Sequence, residues 1–472
     1  MTTVLRRSAV ALITGAGPGT SAYAQPMSDR KIVKPVAIGG FPEWLPEQKL
    51  VEQRLLDIIR EEFERFGFGP IETPAVERKE VLAAKGVVEK EIYALSRLAA
   101  GEGEDAATEM ALHFDLTVPL ARYVAQHFNA LVFPFRRHQM QKVWRGERPQ
   151  AGRFREFYQC DIDVIGSGKL SLLNDAEMPL VIHNIFSRIG IGRFLIRINN
   201  RKILQGFLGH LGLPAEHGGA ALRVVDALDK IGRNKVLAEL SAKVGLELAQ
   251  AERLVAFVTG DTDLDRLAAL DAGPLFAQGV AELAEVAGHM RALGLPDDSW
   301  AVDLSIARGL DYYTGTVYET VLVDNPQIGS ICSGGRYDDL AGTFTKQALP
   351  GVGISIGLTR LLSRLFDAGL LHADAKTPTQ VLVTVMDPAL RGQCLALAAE
   401  LRAAGLNTEL YTQDRKLGDQ IKYADRKGIP VAAILGDSEA RAGTVVLKAL
   451  RSGAQTTHPR DGLAAAVRGL LG

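Results

Sequence analysis

Hydrophobic side chains at Val51, Leu55, Ile58, Ile59, Phe63 and Phe66 recur every three to four residues, the spacing that places them on one face of a helix over residues 47–66. Gly67 ends the run, and residues 68–74 read as a strand closed by Pro74, which cannot donate to a ladder. Between residues 131 and 165, strand-like apolar positions flank a basic turn from Gly146 to Gly152, predicting an antiparallel pair joined by a long loop. Residues 202–294 are rich in Leu and Ala and punctuated by Gly212, Gly232, Gly260 and Gly273, a pattern that predicts helices. Strand patterns return at 303–306, 316–323 and 331–333, and a glycine-rich strand over 351–357 runs into a helix over 358–366. After a linker at 373–378, apolar strands at 381–385, 408–411 and 431–435 alternate with helical stretches around 390–402 and 417–427. That βαβαβ rhythm predicts a small α/β domain.

A length of 472 residues allows two or three folding units. With 47% hydrophobic and 23% charged residues the composition is that of a globular protein. No stretch offers the roughly 20 uninterrupted apolar residues of a membrane span, so no membrane role is expected. A formal net charge of -1 carries no global mark of nucleic-acid binding, so any RNA contact must rest on local basic patches. Cys160, Cys332 and Cys394 lie far apart with no CxxC pair, which predicts reduced thiols and no metal held by a protein cluster. Residues 1–26 imitate an export signal through Arg6-Arg7 and Ala22-Tyr23-Ala24, but Gly15, Gly17, Pro18 and Gly19 interrupt the apolar stretch, and Met27 opens a second candidate start. The expectation is a disordered N-terminal extension on a cytoplasmic protein.

Arg145 ends one strand of the 131–165 pair and Glu147 follows it; a planar guanidinium suits phosphate and carboxylate oxygens better than an ammonium does. By spacing alone an ion pair on an exposed strand edge is the favoured reading, and only the surrounding motifs reverse it. The Gly351-Val352-Gly353-Ile354-Ser355-Ile356-Gly357 strand leads to Arg360, and its glycines remove the Cβ atoms that would hold a flat base away. Two further motifs, Arg308-Gly309-Leu310-Asp311-Tyr312-Tyr313 and Gly334-Gly335-Arg336-Tyr337-Asp338, complete the set.

Together these motifs resemble those of the histidyl-tRNA synthetase family, a class II aminoacyl-tRNA synthetase family, and the resemblance runs from about Ile38 to the C-terminus. It implies an α+β catalytic domain over 27–372 built on the class II antiparallel sheet, a helical insertion over about 205–298, and an anticodon-binding-like α/β domain over 378–472. The implied reaction is ATP-dependent ligation of L-histidine to histidine tRNA through a histidyl-adenylate, by a homodimer, with Mg2+ accompanying ATP and no prosthetic group. Arg308, Arg145 and Arg360 would be catalytic, with Glu147, Phe157 and Gly357 completing the ATP site. Asp115, Thr117, Gln159, Asp163, Tyr312, Tyr313 and Tyr337 would bind histidine; Asp163 and Tyr313 would read the two imidazole nitrogens, which need one acceptor and one hydroxyl. His113 is expected to be packed.

Arg148, Gln150 and Arg153 would meet the tRNA acceptor end. Arg415, Lys422 and Arg426, read as one face of the last helical region, suit an anticodon contact or a solvated charge face equally. Thr359 departs from the glutamate that many relatives place before the last arginine. A catalytically inactive regulatory relative of the synthetases, or a class II synthetase for another amino acid, remain the alternatives.

Overall fold

The computed structural model describes residues 33–83, 92–96, 109–148, 152–306 and 313–471. Helix α1 (Pro46–Arg65) opens with Pro46 in its first turn and with Gln48 Oε1 accepting the Leu45 N–H; it buries Leu55, Ile59 and Phe63. The strand expected over 68–74 shrinks to β1 (Gly69–Pro70), because Pro70 ends its donors and only Ile71 N–H still reaches the neighbouring strand, at His138 O. β2 (Val76–Arg78), α2 (Lys79–Ala83), β3 (Met110–Leu112) and α3 (Thr117–His127) follow. Then come the predicted antiparallel pair, β4 (Phe135–Trp144) and β5 (Glu156–Ile165), and α4 (Leu173–Ile189).

β6 (Phe194–Asn200) leads into a helical run: α5 (Arg201–His210), α6 (Ala215–Val225), α7 (Leu228–Ile231), α8 (Arg233–Glu239), α9 (Leu248–Val258), α10 (Leu264–Ala268) and α11 (Pro274–Ala292). The run starts at Arg201, ahead of the expected 205, because the Asn200 side chain accepts the Lys202 N–H and caps α5. The chain returns to the sheet as β7 (Trp300–Val302), β8 (Thr316–Leu322), β9 (Cys332–Tyr337) and β10 (Gly351–Gly357), and continues into α12 (Leu358–Asp367). The strand expected at 303–306 lies earlier, at β7. Asp303–Ile306 instead form a turn whose Leu304 and Ile306 carbonyls accept from the Asn199 amide.

Among the described residues, eight strands form one sheet in the order β1-β4-β5-β10-β9-β8-β6-β7, antiparallel at its centre, with β1 parallel to β4 and β7 parallel to β6. α1, α4 and α12 cover one face through Phe63, Ile182, Ile185 and Leu362, packed against Cys160, Ile162, Ile354 and Ile356. The helical run shares that core through Leu204, Phe207, Phe276 and Leu283.

The C-terminal part contains β11 (Val381–Val383), α13 (Arg391–Ala403), β12 (Thr408–Leu410), α14 (Leu417–Lys427), β13 (Val431–Ile434), α15 (Asp437–Ala442), β14 (Thr444–Ala449), β15 (Gln455–Pro459) and α16 (Leu463–Leu471). β12, β11 and β13 are parallel, as the βαβαβ rhythm predicts, and β14 and β15 add an antiparallel hairpin that the apolar pattern did not mark. The exposed Gln455-Thr456-Thr457 stretch of β15 is too polar to read as a strand.

Candidate active site

Side chains alternate across a strand, so the centre of the large sheet has two chemically different faces. In β5, Cys160, Ile162 and Val164 enter the core, while Gln159, Asp161 and Asp163 point the other way. Register places Gly353 beside Asp163, Ser355 beside Asp161 and Gly357 beside Gln159. This polar face floors a cavity of about 370 Å³. The cavity gathers predicted residues from separate parts of the chain: Asp115, Thr117, Arg145, Glu147, Phe157, Gln159, Asp163, Tyr313, Tyr337, Gly357 and Arg360.

The arginines have defined supports. Arg145 Nε donates to the Phe114 carbonyl at 3.0 Å, and its guanidinium lies 5.1 Å from the centre of the Phe157 ring. Glu147 pairs with Arg153 at 3.3 Å. Arg360 opens α12 and donates to the Ile328 carbonyl at 3.3 Å. Thr359 beside it is buried, and its hydroxyl accepts the Tyr158 N–H at 2.9 Å, so the residue that departs from the family pattern ties α12 to β5. A Cβ on Gly357 would meet nothing within 4 Å, leaving that part of the floor open for a flat ligand.

The other end is rich in buried acids. Asp163 pairs with the fully buried Arg137 at 2.5 Å and accepts from the Tyr337 hydroxyl at 2.6 Å. Gly353 makes room for this arrangement, since a Cβ there would overlap Asp163 Oδ1 and the Ile162 carbonyl. Asp115 Oδ1 accepts the Val118 N–H at 3.1 Å. Gln159 Nε2 donates to Ser355 Oγ at 2.7 Å. Asp115 Oδ2, Gln159 Oε1 and Asp161 Oδ1 are buried with no hydrogen-bond partner among the described residues.

Burial pushes Asp115 up to about 6 and Asp161 up to about 7, while Arg137 pulls both down. Burial also raises Asp163, again opposed by Arg137. Buried acceptors in excess of buried cations suit a ligand that brings N–H donors and positive charge.

Residue-level reading missed Asp161, Ser355 and Arg137. The polar alternation of Gln159, Asp161 and Asp163 against Cys160, Ile162 and Val164 was the pattern that could have found Asp161.

Most basic residues of β4 and β5 are spent on internal contacts. Arg136 pairs with Glu177, Arg137 with Asp163 and Lys142 with Glu156, and Arg155 donates to the Glu147 carbonyl. Arg148 and Arg153 stay exposed, and Arg153 lines the cavity. Arg415 precedes α14 rather than sharing its face, because Lys416 caps the helix; Lys422 and Arg426 are exposed on α14 itself. His113 is buried as expected, with Nε2 at 2.7 Å from the Lys142 carbonyl and its ring stacked on Trp144. Arg308, Tyr312 and Gln150 lie outside the described residues, as do residues 1–26.

An antiparallel sheet that carries two cavity-facing arginines, one at the end of a long strand pair and one at the start of the helix after a glycine strand, defines a class II aminoacyl-tRNA synthetase. The histidyl-tRNA synthetase family model matches residues 40–361 and an anticodon-binding domain model matches residues 380–470. The chain belongs to the histidyl-tRNA synthetase family. It is 48% identical to the histidine–tRNA ligase of Xanthomonas axonopodis pv. citri, over 93% of this chain and 96% of that one. It is also 48% identical to the histidine–tRNA ligase of Stenotrophomonas maltophilia, over 93% and 98%. The crystal structure of histidyl-tRNA synthetase from Nostoc superposes with a TM-score of 0.84 at 46% identity, covering 93% of this chain and all of that one.

Proposed function

We infer that this chain activates L-histidine with ATP and transfers it to the terminal adenosine of histidine tRNA. The observation that carries the reading is that Arg145 and Arg360 border the same cavity as the buried acceptors Asp115, Gln159 and Asp163 and the tyrosines 313 and 337. ATP enters with Mg2+. Its adenine lies near Phe157, Glu147 and Gly357, Arg145 holds the α-phosphate and the histidine carboxylate, and Arg360 holds the γ-phosphate. The carboxylate attacks the α-phosphorus, pyrophosphate leaves, and fixed guanidinium charge stabilises the oxygens where charge accumulates. Arg308 joins that set by resemblance. Asp115, Thr117 and Gln159 take the substrate ammonium. Asp163, held by Arg137 and Tyr337, accepts from one imidazole nitrogen and Tyr313 faces the other, with Tyr312 alongside.

Arg148, Gln150 and Arg153 receive the acceptor end of the tRNA, where unpaired nucleotides can be read. Arg415, Lys422 and Arg426 extend the contact toward the anticodon, which the match of 380–470 to an anticodon-binding model supports. The enzyme works as a homodimer in the cytoplasm; no helix among the described residues is long and apolar enough to cross a membrane. A regulatory role without catalysis is disfavoured by the two cavity-facing arginines.

Pyrophosphate exchange tests the reading. It should depend on histidine, ignore glycine, proline and threonine, and fall about a hundredfold in Arg360→Ala, on the order of 3 kcal/mol of lost charge stabilisation. Exchange driven equally well by another of these amino acids would overturn it.

A further inference from the structure

The large sheet carries a continuous polar rung. Register aligns Gln139 of β4, Asp161 of β5, Ser355 of β10, Ser333 of β9, Glu319 of β8 and Arg197 of β6 as neighbours across six strands. Asp161 is its most deeply buried acid, 2% exposed, and the reaction as described leaves it without a task. Register sets Ser355 directly beside Asp161 on the cavity face, and Ser355 Oγ accepts from Gln159 Nε2 at 2.7 Å.

A hydroxyl has one proton. Ser355 Oγ already accepts from Gln159 Nε2, so its proton is free to turn to the neighbouring Asp161 carboxylate, which when ionised can only accept. The Gln159 amide must then turn its nitrogen toward Ser355. Its oxygen, Oε1, is one of the buried cavity-wall atoms without a partner among the described residues. We propose that Asp161 is a positioning residue that acts through Ser355 to fix the Gln159 amide, so that Gln159 Oε1 joins Asp115 Oδ2 as an acceptor for the substrate ammonium.

The inference rests on the amino-acid placement given above. Replacing Asp161 by Asn reverses the polarity of the relay, because an amide can donate to Ser355. Ser355 can then donate to Gln159 Oε1, and Gln159 swings its NH2 toward the ammonium. The relay needs Asp161 ionised: Arg137 on β4 and the Ser355 hydroxyl on β10 favour that form, while burial, Asp163 on the same strand and Asp115 ahead of α3 oppose it. The assay therefore belongs near pH 8.

The experiment compares the full-length wild type with Asp161→Asn, Ser355→Ala and the double variant. Calorimetry measures binding of histidinol and of its amine-free counterpart, 3-(imidazol-4-yl)propan-1-ol, and thermal melts confirm folding. The wild type should prefer histidinol at least tenfold. Each single variant should shrink that preference at least fivefold while holding the amine-free compound within threefold and the KM for ATP within twofold. The double variant should lose no more than the weaker-binding single one.

A preference kept within twofold in either single variant would overturn the relay, as would equal loss of both compounds, the mark of a merely structural role. Should Asp161→Asn fail to fold, Ser355→Ala decides alone. A wild type with no preference for the amine would instead sink the placement of the ammonium, and the relay with it.

Discussion

Burial raises Asp115 to about 6, above its ordinary value of 3.8. Between those two pH values the folded state keeps a proton that the unfolded chain has lost. Stability therefore falls as pH rises through this window, and the cost, on the order of 3 kcal/mol, is fully present above it. Asp115→Asn removes the cost and can keep the Oδ1 bond to the Val118 N–H. The variant's melting temperature should exceed the wild type's by more at pH 7.5 than at pH 4.5, while histidine binding is lost; scanning fluorimetry across pH checks both, and an advantage that shrinks with rising pH would refute the argument. The candidate status of Asp115, Gln159 and Asp163 was legible in the motifs. That Asp163 would be clamped between Arg137 and Tyr337 was not, since Arg137 and Tyr337 are 200 positions apart and only sheet pairing brings both to one carboxylate.

At the level of elements, α1 and the β4–β5 pair followed from apolar spacing because their periods are long and uninterrupted. β15 and β6 escaped notice for different reasons: β15 is polar on its exposed side, and β6 runs directly into α5. Helix contacts in the insertion depend on glycines whose reason is invisible in one dimension. A Cβ on Gly279 of α11 would lie 2.7 Å from Ile203 N, and one on Gly206 of α5 would lie 2.5 Å from Phe276 N. These two residues let α5 and α11 touch backbone to backbone. Gly279→Ala would ordinarily help a helix by about 1 kcal/mol. Here overpacking of about 1–3 kcal/mol should outweigh that gain, so the variant's melting temperature should drop. A rise would show that the helices can separate without cost.

Across the described residues the two largest apolar cores are one beneath the eight-stranded sheet and a separate one around β11, β13 and α13. The insertion belongs to the first core. The C-terminal segment has its own, through Val381, Leu397 and Val431, so its removal leaves the first core intact. Deleting residues from Thr377 onward should cut tRNA charging at least tenfold more than pyrophosphate exchange; equal loss in both assays would make that segment a structural part of the adenylation machinery. The sequence by itself determined α1, the β4–β5 pair, the glycine strand that runs into α12, and the arginine and glycine motifs, because periodicity and side-chain chemistry act over a few neighbouring residues. The tertiary structure decided which cations are spent on internal ion pairs, which acids are buried without partners, and that Asp161, Ser355 and Gln159 lie side by side on one face of the sheet. Those properties depend on strand register and on exclusion of water, and both exist only once distant segments have paired.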